Sequence, residues 1–201
     1  MNIITISRQF GSNGKQLAKY LASYLNYDYY DKDIIKYLAK SNNFDEEYVD
    51  AILNSKGWQV VPKTFRSSLA LPLGDKVGLL LDEQNIIKEI AKKGRNCIIV
   101  GRSADEVLKD LHPFSIFVCA PLHTRVQRCL EHAKDDISYK EMEKMVKRVD
   151  TGRARTREIV SNRPWGASDS YNMVINTEGM DIEKLAKAVG DFALAYFNDQ
   201  Q

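Results

Sequence analysis

The start of the chain carries an apolar stretch over residues 3–7 that runs into a glycine-containing turn ending in Gly14 and Lys15. A helical pattern of leucine and tyrosine side chains follows as far as Leu25. A buried strand, a glycine turn and a helix in this order expose backbone N–H groups at the helix start, where they can hold phosphate oxygens. This feature constrains the fold most strongly, because the order is typical of the first unit of a parallel α/β sheet.

The turn, residues 8–15, is called the phosphate loop below because it is similar to the motif G-x-x-x-x-G-K-[ST]. It departs from that motif at two positions. Gln9 stands at the first glycine, and Gln16 follows Lys15 where a hydroxyl normally contacts Mg²⁺. On the motif alone, a strand–helix turn with a surface lysine is an equal alternative. Arg8 adds a second cation to the loop, which favours an anion site.

Apolar runs and helical patterns alternate along the rest of the chain. Strands are predicted over 27–30, 97–100, 114–120 and 171–176, and helices over 45–53, 82–93, 103–109, 121–132, 138–160 and 181–197. Pro121 is expected at the first position of its helix, and Gly152 is the candidate break in the longest helix. Strands that alternate with helices predict an α/β fold with a parallel sheet covered on both faces.

Composition excludes several classes of function. The 201 residues include 29 basic and 27 acidic side chains, and this net charge of +2 excludes a general nucleic-acid or membrane binder. The three cysteines include no C-x-x-C pair, which argues against a disulfide framework and a zinc site. Without a signal-peptide pattern or an apolar stretch of about 20 residues, we expect a cytoplasmic protein with no membrane partner.

Four blocks of sequence carry a resemblance to a known family. They are ITISRQFGS at 4–12, YYDKDII at 29–35, IIVGRSAD at 98–105 and RPWG at 163–166. Together, and in this order, they resemble the cytidylate kinase-like proteins. The resemblance implies a three-layer P-loop NTPase fold of the α/β class in a single domain, with a helical acceptor-binding flap and a helical lid. We expect the core over 1–54, 82–133 and 170–201, the flap over about 55–81 and the lid over about 136–168.

The resemblance also implies a reaction. In this family type, the γ-phosphoryl group of ATP passes to a small phosphorylated acceptor, which in cytidylate kinases proper is CMP or dCMP. ATP is therefore the implied donor, Mg²⁺ the implied metal, and small-molecule nucleotides the implied partners. The alternative is a nucleotide-binding regulatory protein with a kinase fold and little turnover. Gln16 and Val100 motivate it, because both replace expected Mg²⁺ contacts.

The resemblance assigns the ATP phosphates to the phosphate loop. Lys15 is implied to bind the β- and γ-phosphates and to be catalytic. Ser12 is also a candidate Mg²⁺ ligand, with helix capping as the alternative. The implied contacts to the ATP phosphates are Arg8, Gly11, Ser12, Asn13, Gly14, Lys15 and Gln16.

The implied acceptor site draws on residues after the strands. Arg102 is implied to bind the acceptor phosphate, because a planar guanidinium can grip phosphate with two hydrogen bonds, and a surface salt bridge is the alternative. Asp105 is expected to orient Arg102 or to contact the acceptor, unless it is an ordinary helix-start carboxylate. Asp31 matches a catalytic carboxylate near the acceptor and metal, with an N-cap as the alternative. Arg66 is a candidate acceptor contact in the flap.

The basic segment over 147–157 holds five cations and one acid, and its Asp150-x-x-Arg153 spacing resembles the lid of cytidylate kinases. There the pair meets the sugar and phosphate of the acceptor. Arg153 is the first candidate for a catalytic lid arginine, followed by Arg157 and Arg148. A solvated basic helix is the alternative, and a nucleic-acid-binding surface is a less favoured one.

Overall fold

The apolar runs form the strands of one sheet. The computed structural model describes residues 1–31, 73–133 and 135–199, without the side chains of 73–80 and 82. Its strands are β1 (Ile3–Arg8), β2 (Asp28–Tyr30), β3 (Cys97–Val100), β4 (Phe114–Cys119) and β5 (Met173–Asn176). Its α-helices are α1 (Gly14–Leu25), α2 (Leu73–Lys92), α3 (Ala104–Val107), α4 (Leu122–Glu131), α5 (Tyr139–Val160) and α6 (Ile182–Asn198).

The strand order in the sheet is β2-β3-β1-β4-β5, and every pair of neighbours is parallel. β1 is central, with Ile4 opposite Ile98 on one side and Phe114 on the other. Its apolar side chains are buried on both faces, which is typical of a strand in a covered parallel sheet. The carboxyl ends of β1, β3 and β4 therefore lie side by side, at the edge where open α/β sheets bind ligands.

Helices cover both faces of the sheet. On one face, α1 and α6 bury side chains such as Leu17 and Val189 against Ile4 of β1. On the other face, Ile87 of α2 and its neighbours pack on Ile99 of β3. This three-layer arrangement confirms the predicted fold class. None of the helices in the described ranges combines the length and apolar character needed to span a membrane.

Several element boundaries differ from the predictions. The helix α2 begins at Leu73, inside the segment predicted as the flap, and it includes Gly74 and Gly78, each of which costs a helix about 1 kcal/mol relative to alanine. The predicted break at Gly152 is wrong, since this small residue is buried within a continuous α5. Pro121 is the N-cap of α4 rather than its first residue. The predicted helix over 45–53 lies outside the described residues.

Two further segments are shorter than predicted. The helix expected over 103–109 is the short α3, and a 3-10 turn follows it at Lys109–Leu111. The final strand begins at Met173, because Ser168–Ser170 forms another 3-10 turn just before it.

Replacing Asp181 tests the cap of α6. Its carboxylate accepts hydrogen bonds from the N–H groups of Glu183 and Lys184, at 3.0 and 3.1 Å. Asp181→Ala leaves these groups without the side-chain acceptor, so we expect the free energy of unfolding to fall by about 1 kcal/mol. Urea denaturation followed by circular dichroism measures this change.

Asp199→Ala is the matched control, because Asp199 caps the other end of the same helix through its backbone N–H. A carboxylate at a helix C-terminus is not favoured by the helix dipole, so its removal should leave stability unchanged or slightly raised. An equal loss of stability in both variants would contradict the assigned cap.

Candidate functional site

The phosphate loop leads from β1 into α1 through backbone that favours particular residues. Gly11 has a φ of +77°, and a Cβ there would lie 2.6 Å from the carbonyl oxygen of Arg125. Asn13 has a φ of +59°, a left-handed conformation that asparagine adopts more readily than most residues. α1 starts at the next residue, Gly14, so the free N–H groups of its first turn lie within the loop.

Gln9 explains one departure from the motif. Its backbone N–H donates to the carbonyl oxygen of Val118 at 2.9 Å, which continues the pairing of β1 with β4. Its side-chain Oε1 accepts a hydrogen bond from the N–H of Ala120 at 3.2 Å. Gln9 therefore ties the phosphate loop to the carboxyl end of β4, a role that a glycine could not take.

Ser12 has its hydroxyl engaged inside the loop. This hydroxyl donates to the carbonyl oxygen of Gln9 at 2.8 Å, and the residue is fully buried. The carbonyl oxygen of Ser12 accepts a hydrogen bond from the hydroxyl of Thr177 at 2.9 Å. Ser12 therefore does not fit the expected role of a Mg²⁺ ligand, because its oxygen has no open side.

Lys15 and Asp31 face each other at the mouth of the loop. Lys15 Nζ lies 2.8 Å from Asp31 Oδ2, and Arg8 Nη2 lies 3.7 Å from Asp31 Oδ1. Burial opposes the ionisation of Asp31, but the hydrogen bond from Lys15 and the charge of Arg8 outweigh it, so its pKa lies below the ordinary value. Asp31 is therefore an anion at neutral pH that holds both cations of the loop.

Arg102 is held by a residue that sequence analysis missed. It follows Gly101 after β3, and its Nε lies 2.7 Å from Oε1 of Glu83 on α2. Asp105, expected to orient Arg102, does not take this position. Glu83 carries no local sequence signal, since it lies in a plain helical pattern and its importance comes from burial, with 3% of the residue exposed.

The burial of Glu83 changes its acidity. Burial raises the pKa of the Glu83 carboxyl to about 7, although the positive charges of Arg102 and Arg8 oppose this rise. Glu83 therefore titrates near neutral pH, unlike an exposed glutamate.

Arg157 and Asp105 pair with each other. Arg157 is 1% exposed, and its Nη1 lies 2.7 Å from Asp105 Oδ2. Its Nε donates to the carbonyl oxygen of Arg163 at 3.2 Å, and its guanidinium lies over the ring of Tyr171. These contacts favour a structural role for both residues, in place of the expected catalytic role of Arg157 and acceptor contact of Asp105.

Asp150 joins the helix α5 to the phosphate loop. Its Oδ1 accepts a hydrogen bond from the N–H of Phe10 at 2.7 Å, and its Oδ2 pairs with Arg125 of α4. Arg125 also donates to the carbonyl oxygens of Phe10 and Ala120, and no motif marks it in the sequence. The carboxylate of Asp150, expected to meet the acceptor, is therefore engaged by the loop.

Arg153 lies one helical turn beyond Asp150 and also contacts the loop. Its Nη1 donates to the carbonyl oxygen of Arg8 at 2.9 Å, and its guanidinium lies 5.7 Å from the ring centroid of Phe10. Burial lowers the pKa of Arg153 to about 9, and the nearby Arg8 charge adds to this effect while Asp150 opposes it. Arg153 is thus a desolvated cation beside another cation.

Two spaces adjoin these cations. The first, called the arginine cavity, has a volume of about 40 Å³ and is lined by Ser7, Arg8, Gly101, Arg102, Ser103, Arg153, Thr156 and Trp165. The second, called the loop groove, has a volume of about 480 Å³ and is lined by the phosphate loop together with Gln16, Lys19, Arg128, His132 and Arg153. Arg8 and Arg153 line both spaces.

The structure therefore brings together most of the predicted site residues and separates a few. The two adjoining spaces are lined by Lys15, Arg8, Arg102 and Arg153. Asp31 contacts two of these cations, Lys15 and Arg8. Arg66 lies outside the described residues, and so does most of the predicted flap.

Asp31 is the carboxylate beside Lys15 that would help to hold Mg²⁺. Within the described ranges, no group of three or more His, Cys, Asp or Glu side chains could hold a metal ion. Asp31 fits the requirement better than Ser12, because Mg²⁺ is commonly held by one or two carboxylates together with phosphate oxygens and water.

Comparisons with known proteins identify a family and a shared fold. The family model for the cytidylate kinase-like family matches residues 3–179. A search of curated protein sequences finds no match. An uncharacterized protein from Eubacterium ventriosum ATCC 27560 aligns with a TM-score of 0.71 at 22% identity, covering 96% of this chain and 98% of that one.

Two shikimate kinases also align over most of their length. That from Bacteroides thetaiotaomicron gives a TM-score of 0.58 at 14% identity, covering 95% of this chain and 97% of its own. That from Acinetobacter baumannii, in complex with shikimate, gives 0.56 at 11% identity, covering 98% and 94%. At these identities the likeness establishes a shared fold and leaves the substrate open.

Replacing Glu83 tests its burial. The folded chain holds the Glu83 proton up to about pH 7, whereas an unfolded glutamate loses it near the ordinary value of 4.5. Between these values the folded state binds more protons, so the free energy of unfolding falls as pH rises. The contribution of Glu83 to this fall is on the order of 3 kcal/mol. Glu83→Gln should remove it, as measured by urea denaturation at several pH values.

Glu89→Gln is the control, because Glu89 lies on the same helix, is exposed and pairs only with Lys92 among the described residues. It should leave the pH dependence of stability as it is in the wild type. A constant difference in stability between wild type and Glu83→Gln across this pH range would contradict the assignment.

Proposed function

The chain belongs to the cytidylate kinase-like family, and we propose that it moves the γ-phosphoryl group of ATP to a small phosphorylated acceptor, most suitably a nucleoside monophosphate such as CMP or dCMP. One observation carries this proposal. Two cation-lined spaces, the loop groove and the arginine cavity, adjoin each other and share Arg8 and Arg153. Such an arrangement suits two phosphate groups that face each other, as direct phosphoryl transfer requires.

The donor half of the proposed site is the loop groove. The N–H groups at the start of α1 and the ammonium of Lys15 bind the β- and γ-phosphates of ATP. Lys15 contacts Asp31, so the γ-phosphate competes with this carboxylate for the ammonium. Mg²⁺ held by Asp31 and the phosphate oxygens would supply additional positive charge at the transferred group.

The acceptor half is the arginine cavity. Glu83 holds Nε of Arg102, while the Nη1 and Nη2 atoms of Arg102 have no hydrogen-bond or ion-pair partner among the residues that the structure describes. These two nitrogens are available to grip the acceptor phosphate. Family membership alone supports the proposal that the acceptor contains a nucleoside. The proposal that it carries a phosphate is supported by the positive charges of Arg102, Arg8 and Arg153.

Catalysis in this proposal consists of positioning and charge stabilisation. We propose that α5 is the lid and that residues of about 55–81 form the acceptor-binding flap of a single domain. Asp150 holds the lid on the phosphate loop, so Arg153 reaches the space between the two phosphates and water is excluded.

A nucleotide-binding protein with little turnover is the second candidate. Two observations favour it, namely the glutamine at position 16 and the buried, engaged hydroxyl of Ser12. Both remove oxygen ligands that an active phosphotransferase of this fold would offer to Mg²⁺.

The direct test is a coupled assay of ADP release over a panel of nucleoside monophosphates, with shikimate as a non-phosphorylated acceptor. We expect turnover with at least one pyrimidine monophosphate and none with shikimate.

Lys15→Ala should lower kcat about 100-fold or more, because it removes a cation that stabilises charge on the transferred group. Lys187→Ala, which removes an exposed lysine on α6, should not change kcat.

Calorimetric titration with ATP separates the two candidates. ATP binding without turnover on any acceptor would favour the second candidate over phosphoryl transfer. Absence of both turnover and ATP binding would contradict both, provided that circular dichroism shows the chain to be folded.

A further inference from the structure

Arg8 has an unusual position for a residue of a phosphate loop. It is the last residue of β1, and it lines both the loop groove and the arginine cavity. The sequence predicts only a contact to the ATP phosphates for Arg8. Its place between the two spaces gives it access to a group that passes from one to the other.

The side chain of Arg8 occupies space that Gly101 leaves open. A Cβ at position 101 would lie 1.8 Å from Nη1 and 3.0 Å from Cζ of Arg8. No L side chain can be accommodated at that distance unless the guanidinium moves. Gly101 therefore does more than supply a positive φ, because its missing side chain is the space in which Arg8 lies.

The surroundings of Arg8 leave its charge only partly balanced. Asp31 lies 3.7 Å from its Nη2, and Arg102 and Arg153 add further positive charge nearby. Burial lowers the pKa of the Arg8 guanidinium, and although Asp31 opposes this, the charge of Arg102 reinforces it. An anion bound between the two spaces would add a second negative charge to that of Asp31 beside the guanidinium.

We propose that Arg8 is a catalytic residue that contacts the transferred phosphoryl group between the loop groove and the arginine cavity, and that Gly101 provides the space for it. This inference rests on the proposed function. In the step, a bond forms between an acceptor phosphate oxygen and the γ-phosphorus, and the bond from that phosphorus to the β–γ bridging oxygen breaks. ADP leaves with the electron pair of the broken bond. Arg8 offsets the charge on the equatorial oxygens and transfers no proton.

Two variants of the full-length chain test this role from different directions. Arg8→Gln removes the charge without straining the backbone, and Gly101→Ala keeps every charged group while displacing the guanidinium. We expect both to lower kcat and kcat/KM for the acceptor together by about 100-fold or more, because the contact is made in the transition state. The Kd for ATP, measured by calorimetry without acceptor, should change by less than about threefold.

Gly94→Ala and Gly179→Ala are the matched controls for backbone strain. Both glycines have left-handed backbone, with φ of +70° and +65°, and a Cβ at either position meets nothing within 4 Å. Each control should lower thermal stability through the backbone strain that it shares with Gly101→Ala, without the displacement of Arg8. Neither should lower kcat, since neither displaces Arg8.

The outcomes separate this inference from the proposed function. If the wild type turns over and both Arg8→Gln and Gly101→Ala keep kcat within about threefold, the role of Arg8 is wrong and the proposed function stands. A parallel loss of ATP binding and kcat in Arg8→Gln would reduce Arg8 to a donor-phosphate contact and overturn the inference. A wild type without turnover on any acceptor would overturn the proposed function, and this inference with it.

Discussion

The contact on which the site depends is the one between Asp150 and the phosphate loop. One carboxylate accepts the N–H of Phe10 and pairs with Arg125, so it joins α5, α4 and the loop at a single point. Both partners of the ion pair are largely buried, and breaking such a pair by removing one partner typically costs about 3–5 kcal/mol. The same contact fixes the distance between α5 and the phosphate loop. It therefore sets the position of Arg153, which lines both the loop groove and the arginine cavity.

Local sequence patterns were sufficient to predict the parallel sheet and the phosphate loop. Apolar runs such as Ile98 to Val100, without alternation, can be stable only when both faces of a strand are covered, and this requirement indicates a parallel sheet. The Gly14-Lys15 pair after the first strand similarly predicted where the helix α1 begins. These features depend on neighbours in the sequence, so they can be derived from it without knowledge of the fold.

The pairings inside the site could not be predicted in this way. Glu83 meets Arg102, and Arg125 meets Asp150, across elements that are distant in sequence. Each pair is selected by burial, because an unpaired charge in the interior is costly, and burial is known only once the helices are placed on the sheet. Asp105 shows the opposite case. Its spacing from Arg102 predicted a contact between these two residues, but in the structure Asp105 pairs with Arg157.

The space shared by Arg8 and Gly101 restricts how this chain can change over generations. A side chain at position 101 requires the Arg8 guanidinium either to move or to be replaced by a shorter side chain, so the two positions are coupled. Even then the left-handed backbone at 101 favours asparagine or aspartate over other residues. A chain that loses the arginine can therefore accept a side chain at position 101, and that side chain then occupies the space in which the guanidinium now lies.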